Sequence, residues 1–358
     1  MKMKKIFLTL IFMLGLSGVV AAAPAEQQLL GNILTKDTQI FSLSGHNKLI
    51  FNKFDNSLSV FNLTSNKEAW TKQFSKIYSI NVLSFPEKII VMAKGTDDKL
   101  QKIVMNKDGR VLSTQVIHSP AIANSIKTNR ELISWNAPTG KNKERLTIYS
   151  NNTLFIYQSP WKNPTHKIKL SEVSSNKYEG TYINDIKLNW PYAVIKYTGN
   201  SLMQSQDFFR VINVLSLKEY TIVTDWNVHS DSSVVGDQLV INSSFNVGNP
   251  MGVNLGQSHL IYSTYNMPTG KKTASVSQMF TNAEMGWKSE VLENYVLVYI
   301  PEKERIEIYN ASGRKLSEAS LKLPSNLRGI DYSNGDLTLL ASEEAGVVLK
   351  IIKVSQFN

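Results

Sequence analysis

Five histidines offer the first place to look for chemistry, because imidazole binds metals and moves protons near neutral pH. They stand at His46, His118, His166, His229 and His259, far apart, and none sits in a His-x-x-x-His, His-x-His or His-Glu setting. Local zinc spacing is therefore missing, and any site built on them must be assembled from distant segments. His118 and His229 are the two that fall at junctions between successive groups of strands, which makes them the candidates for a central channel. The acidic residues are equally dispersed. Asp97 and Asp98 adjoin in a turn, Asp55, Asp108 and Asp331 occupy separate turns, and no Asp-x-Asp-x-Asp run offers calcium its alternating oxygen ligands. No Gly-x-Ser-x-Gly elbow and no glycine-rich phosphate loop occurs, and Gly248 to Gly252 lacks the Lys-Ser or Lys-Thr ending that a phosphate cradle needs. The chain has no cysteine, which removes thiolate nucleophiles, Cys-ligated zinc and iron–sulfur clusters together. No cofactor, no metal and no catalytic residue is expected from these patterns.

Six tryptophans complete the inventory. Trp70, Trp135 and Trp190 lie in or beside strand-like runs and are expected to pack between elements. Trp161 falls in an apparent insertion, while Trp226 and Trp287 lie near junctions, where an exposed ring could stack on a sugar or anchor a protein.

The elements that would carry these residues are short strands. After the first 25 residues, no stretch keeps helical spacing of apolar residues over three turns. Runs of four to eight Val, Ile, Leu, Phe and Tyr alternate instead with polar residues, bounded by Asn, Asp, Gly, Ser or Lys. Third strands of successive groups are placed at Ser57 to Leu63, Leu100 to Asn106, Arg145 to Ser150, Phe208 to Leu215, Ser258 to Tyr265, Arg305 to Asn310 and Val347 to Val354. Their anchors Val60, Ile103, Ile148, Ile212, Tyr262, Ile308 and Ile351 are spaced by 43, 45, 64, 50, 46 and 43 residues. A period in the forties is the length of a four-stranded blade. The longest step is assigned an insertion over Tyr157 to Thr181.

Hairpins built to one pattern support the period. Asn106-Lys107-Asp108-Gly109-Arg110 and Asn310-Ala311-Ser312-Gly313-Arg314 match in register, with related turns at Asn62 to Trp70 and Asn266 to Lys272. Glycine or asparagine at the bend accepts the positive φ of a tight turn. These turns resemble the outer hairpin of β-propeller repeats in the broad WD40, YVTN and PQQ-like families. Asn62 to Trp70 is similar to the PQQ-like form, with Asn66 where that form prefers Gly. The resemblance implies an all-β propeller of about seven four-stranded blades. The last group supplies three strands, and Leu29 to Leu34 is positioned to add the fourth and close the ring.

Lys2, Lys4 and Lys5, the apolar run Ile6 to Leu16 and the small residues up to Ala25 read as a secretory leader cut after Ala25. The expected organisation is thus a signal peptide over 1–25 and one propeller domain over 26–358, exported to a periplasmic or extracellular location, without a transmembrane segment in the mature chain. The full chain carries 39 basic and 29 acidic residues, and three of the lysines leave with the leader, so the mature net charge is +7. That excess is scattered. It favours a protein or an anionic envelope polymer as partner, and excludes nucleic acid for want of a basic cluster interleaved with aromatics.

Long links between second and third strands are expected at Asn136 to Glu144, Thr198 to Asp207 and Asn246 to Gln257, crowding one sector of one face. Their candidate contacts are Lys141, Asn142, Lys143, Met203, Gln204, Asn249, Met251 and Asn254, with Trp226 and Trp287 beside them. The favoured expectation is a binding or scaffolding module. A propeller enzyme with an axial site, such as a lyase, lactonase-like hydrolase or quinone-dependent dehydrogenase, and a sugar-binding lectin are the alternatives.

Overall fold

The structure, a computed structural model, describes residues 26–29, 38–43, 47–52, 56–62, 65, 67–74, 77–84, 87–95, 99–117, 132–136, 143–150, 152–159, 161–170, 180–201, 204–226, 228–244, 258–279, 287–292, 295–300, 304–320, 327–333, 336–343 and 346–353. The leader and its cut fall outside them.

A short strand β1 (Glu26–Leu29) opens the described chain. Blade one holds β2 (Thr38–Ser42), β3 (Asn47–Asn52), β4 (Ser57–Asn62) and β5 (Lys67–Gln73), and blade two holds β6 (Ile77–Ser84), β7 (Lys88–Gly95), β8 (Leu100–Asn106) and β9 (Val111–Ile117). Blade three comprises β10 (Leu132–Asn136), β11 (Arg145–Ser150), β12 (Thr153–Gln158) and β13 (Pro164–Lys169). Blade four comprises β14 (Gly180–Asn189), β15 (Tyr192–Ser201), β16 (Gln204–Asn213) and β17 (Glu219–Trp226). In blade five follow β18 (His229–Val235), β19 (Gln238–Ser244), β20 (Ser258–Asn266) and β21 (Lys272–Met279), and in blade six β22 (Lys288–Leu292), β23 (Tyr295–Ile300), β24 (Arg305–Asn310) and β25 (Lys315–Ser320). The seventh sheet runs β26 (Leu327–Ser333), β27 (Asp336–Glu343), β28 (Gly346–Lys353) and then β1, with Glu26 opposite Ile351 and Leu29 opposite Val348. The closing strand is therefore Glu26–Leu29, slightly ahead of the expected Leu29 to Leu34.

Period two decides how the sheets stack. Along β7, Ile89, Val91 and Ala93 pack with Leu49, Phe51, Leu58 and Val60 of blade one, while Ile90 and Met92 pack with Leu146, Ile148 and Tyr157 of blade three. A middle strand covered on both faces must be apolar almost throughout, and β7 and β23 read that way along their central residues. The same seams join blade three to four, four to five and five to six. Strand β26 lies against both β22 and β2, which brings the ring back to blade one.

Five of the hairpins from third to fourth strand rest on one asparagine each. The Oδ1 atoms of Asn62, Asn106, Asn213, Asn266 and Asn310 accept backbone N–H bonds from residues two to four positions on, at 2.8 to 3.1 Å. Four of these turns bend at a residue with positive φ: Gly109, Leu217, Gly270 and Gly313. Leu217 is the misfit, with φ 58° and a side chain 62% exposed. An L-residue there costs about 1–2 kcal/mol, against about 0.5–1 kcal/mol of extra chain entropy for glycine. Leu217→Gly is accordingly expected to stabilise the fold by about 0.5–1 kcal/mol, read as a higher urea midpoint at unchanged slope.

Blade three corrects the sequence reading. Arg145–Ser150 is its second strand, Thr153–Gln158 its third, and the supposed insertion contains its outer strand, Pro164–Lys169. Trp161, 1% exposed, fills the seam with blade two from the turn between them.

Candidate functional site

In an antiparallel blade the link between second and third strands leaves from the same end as the link to the next blade, whereas the first-to-second link leaves from the other. That rule divides the candidate contacts. Strands β15 and β16 stay paired out to Ser201 opposite Gln204, so the expected loop at Thr198 to Asp207 is an elongated hairpin. Gln206 lies opposite Trp226, and His229 opposite Ser244, so Gln204, Trp226, His229 and the two ends of the 245–257 link share one face of blades four and five. Met203, Asn249, Met251, Asn254 and His118 lie outside the described residues. Lys143, which is exposed, belongs to the link between β10 and β11, first and second strands of their blade. Lys141 and Asn142 lie outside the described residues, in the same link. The expected three-loop sector is thus split: blade three contributes to the opposite face. Trp287 is corrected as well. It is fully buried at the seam of blades five and six, its Nε1 donating to the Ser243 carbonyl at 3.0 Å, and is no surface anchor.

Beneath the shared face lies a polar cluster. Lys196 on β15 and Asp207 on β16 are both buried, with Nζ 3.3 Å from Oδ2. Thr198 donates its hydroxyl to Asp207 Oδ1 and receives the Asn184 amide, while the backbone N–H of Ser230 on β18 donates to Oδ2 at 2.9 Å. The Asp207 carbonyl also accepts from Thr224 Oγ1 at 2.7 Å. One residue thereby ties β15, β17 and the innermost strand of the next blade. Its carboxylate is engaged on both oxygens, which suits a clasp better than a proton carrier.

His229 is the exposed end of this cluster, 73% accessible, with Nδ1 3.9 Å from Asp207 Oδ2. The wall continues along the innermost strands. Lys187 on β14 lies 3.3 Å from Asp185 and 3.8 Å from Asp231 on β18, and donates to the Ser232 carbonyl. A crevice of about 20 Å³ opens beside them, lined by Thr224, Asp225, Val228, Ser230 and Ser243. It has room for a single water. Among the described residues, no three His, Asp or Glu side chains converge as a metal site. At the seam of blades three and four, burial raises the Tyr197 phenol, and neighbouring Arg210, bidentate to Glu219 at 2.8 to 2.9 Å, partly offsets it.

The geometry has wide parallels in known structures, although no family model and no curated protein matches the sequence. A chain of a mitotic checkpoint complex superposes with a TM-score of 0.51 at 12% identity, covering 93% of this chain and 92% of that one. The β-propeller domain of Cps50 (Swd1) from Myceliophteria thermophila gives 0.50 at 11% identity, covering 92% and 100%. The chain folds as a β-propeller. Within this propeller the residues that sequence reasoning missed are Lys196 and Asp207. Their signal was a charge inside otherwise apolar runs, Val194-Ile195-Lys196-Tyr197 and Asp207-Phe208-Phe209, where only a partner makes the charge tolerable.

Proposed function

We propose that this propeller is an exported binding scaffold that holds a protein or an anionic envelope polymer on the shared face of blades four and five. The observation that carries the reading is that the strand positions of Gln204, Trp226 and His229, and the two strand ends Ser244 and Ser258, share one end of the sheets over a base pinned by Asp207. A rigid floor under long links is the usual arrangement for recognition, because little order must be imposed on binding. Export is supported by the leader-like first 25 residues, with three lysines, an apolar run and small residues up to Ala25.

The test is co-purification from envelope extract. Gln204→Ala, Trp226→Ala and His229→Ala combined is expected to lower recovery of the bound partner about tenfold or more, the scale of one or two lost contacts. Lys143→Ala on the opposite face is expected to leave recovery unchanged. Equal recovery with both variants would remove the reading.

A further inference from the structure

The outer strand of each blade is an edge, and a sheet edge offers unpaired N–H and C=O groups to any extended chain that approaches it. Six of the seven edges are guarded by charge: β1 carries Glu26, β5 Lys67, Glu68 and Lys72, β13 Lys167 and Lys169, β17 Glu219 and Asp225, β21 Lys272, and β25 Lys315 and Glu318. Strand β9 is the exception. Its residues Val111-Leu112-Ser113-Thr114-Gln115-Val116-Ile117 include neither a charge nor a proline, and the first six are exposed, among them Val111, Leu112 at 58% and Val116.

The order of these residues says what fits. Read outward from Thr114, the strand pairs Ser113 with Gln115 and Leu112 with Val116, so each position of this exposed stretch, which ends at the bulge on Leu112, meets its own chemical type when the strand is laid antiparallel on a copy of itself. A two-fold dimer demands that self-complementarity, since residue i on one protomer must meet j on the other and j must meet i. Cross-strand apolar pairs and a Thr–Thr pair are favourable at such positions, and no like charges are brought together.

We propose that β9 is a homodimerisation edge, pairing antiparallel with β9 of a second copy about Thr114 to make one continuous sheet of two second blades. The proposal stands apart from the binding face, which lies on another part of the molecule.

Sedimentation or light scattering of the full chain as a function of concentration is expected to show a monomer–dimer equilibrium. Thr114→Lys sets two ammonium groups opposite each other on the two-fold axis and is expected to weaken the dimer about tenfold or more. Because Thr114 is exposed, the variant is expected to keep its melting temperature. A second variant reads geometry directly: the chain has no cysteine, so Thr114→Cys supplies the only thiol. Opposed residues of an antiparallel pair stand about 4.5–5.5 Å apart, within disulfide reach, so mild oxidation is expected to link two copies covalently. A monomer at all concentrations, a dimer insensitive to Thr114→Lys, or no disulfide from Thr114→Cys would each overturn the proposal.

Discussion

Gly109→Ala is expected to be among the most damaging single-methyl changes in the propeller, at about 3 kcal/mol. Two costs add. Gly109 has φ +79°, where an L side chain costs about 1–2 kcal/mol. A Cβ there would also lie 2.8 Å from the Trp70 ring, and overpacking of that kind costs about 1–3 kcal/mol. Trp70 cannot simply move aside: it packs against the blade one and two core, and its Nε1 donates to the Lys107 carbonyl at 2.9 Å. The outer strand of blade one is thereby latched onto the turn of blade two. A related latch joins blades four and five, where Tyr220 donates to the Met267 carbonyl at 3.3 Å and a Cβ on Gly270 would sit 3.2 Å from its ring. Burial raises that phenol to about 12. Gly236 has φ +59° and open space around it, so Gly236→Ala carries the backbone cost alone, about 1–2 kcal/mol. Urea titration of the three variants is expected to order them Gly109, Gly270, Gly236, with Trp70→Ala relieving part of the Gly109→Ala penalty in a double-mutant cycle. Equal losses at Gly109 and Gly236 would dismiss the latch.

Asp207→Ala is expected to cost about 3–5 kcal/mol, because it leaves the Lys196 ammonium buried without its anion and the Ser230 N–H without its acceptor. Lys196→Met alone is expected to cost a similar amount by stranding the carboxylate. Lys196→Met combined with Asp207→Asn removes both charges, keeps a side-chain oxygen for the Ser230 N–H and turns the Thr198 contact round so that its hydroxyl accepts from the new amide, and is expected to recover most of the loss. Denaturant unfolding measures all three. If each single variant lost less than about 1 kcal/mol, the pair would count as no more than an exposed one.

The architecture was legible because turn chemistry repeats: an asparagine ends the third strand and a glycine makes the bend. Where the bend uses Leu217, the Asn213 turn escaped notice, although its hydrogen bonds match the others. Blade three was misread because Asn151 and Asn152 follow Arg145–Ser150 and mimic a third-strand turn. That slip of one strand carries a large consequence for the site. Successive links of an antiparallel sheet alternate between faces, so it moved Lys141, Asn142 and Lys143 from one side of the disc to the other. Trp287 shows a different limit. Its neighbours in sequence suggest a junction, but its burial is decided by Ser243 on another blade. The Lys196–Asp207 pair was hidden likewise, since its members are joined only by the register of β15 on β16.

The pairing of Glu26 with Ile351 sets a timetable for the molecule. Contacts within each blade are local and can form early in folding, but the seventh sheet waits until Glu26–Leu29 meets Gly346–Lys353. Joining segments so distant along the chain is entropically costly and slow. Until that final meeting every other sheet can be complete and the circle still open, so the newborn protein passes through a long interval in which it remains threadable.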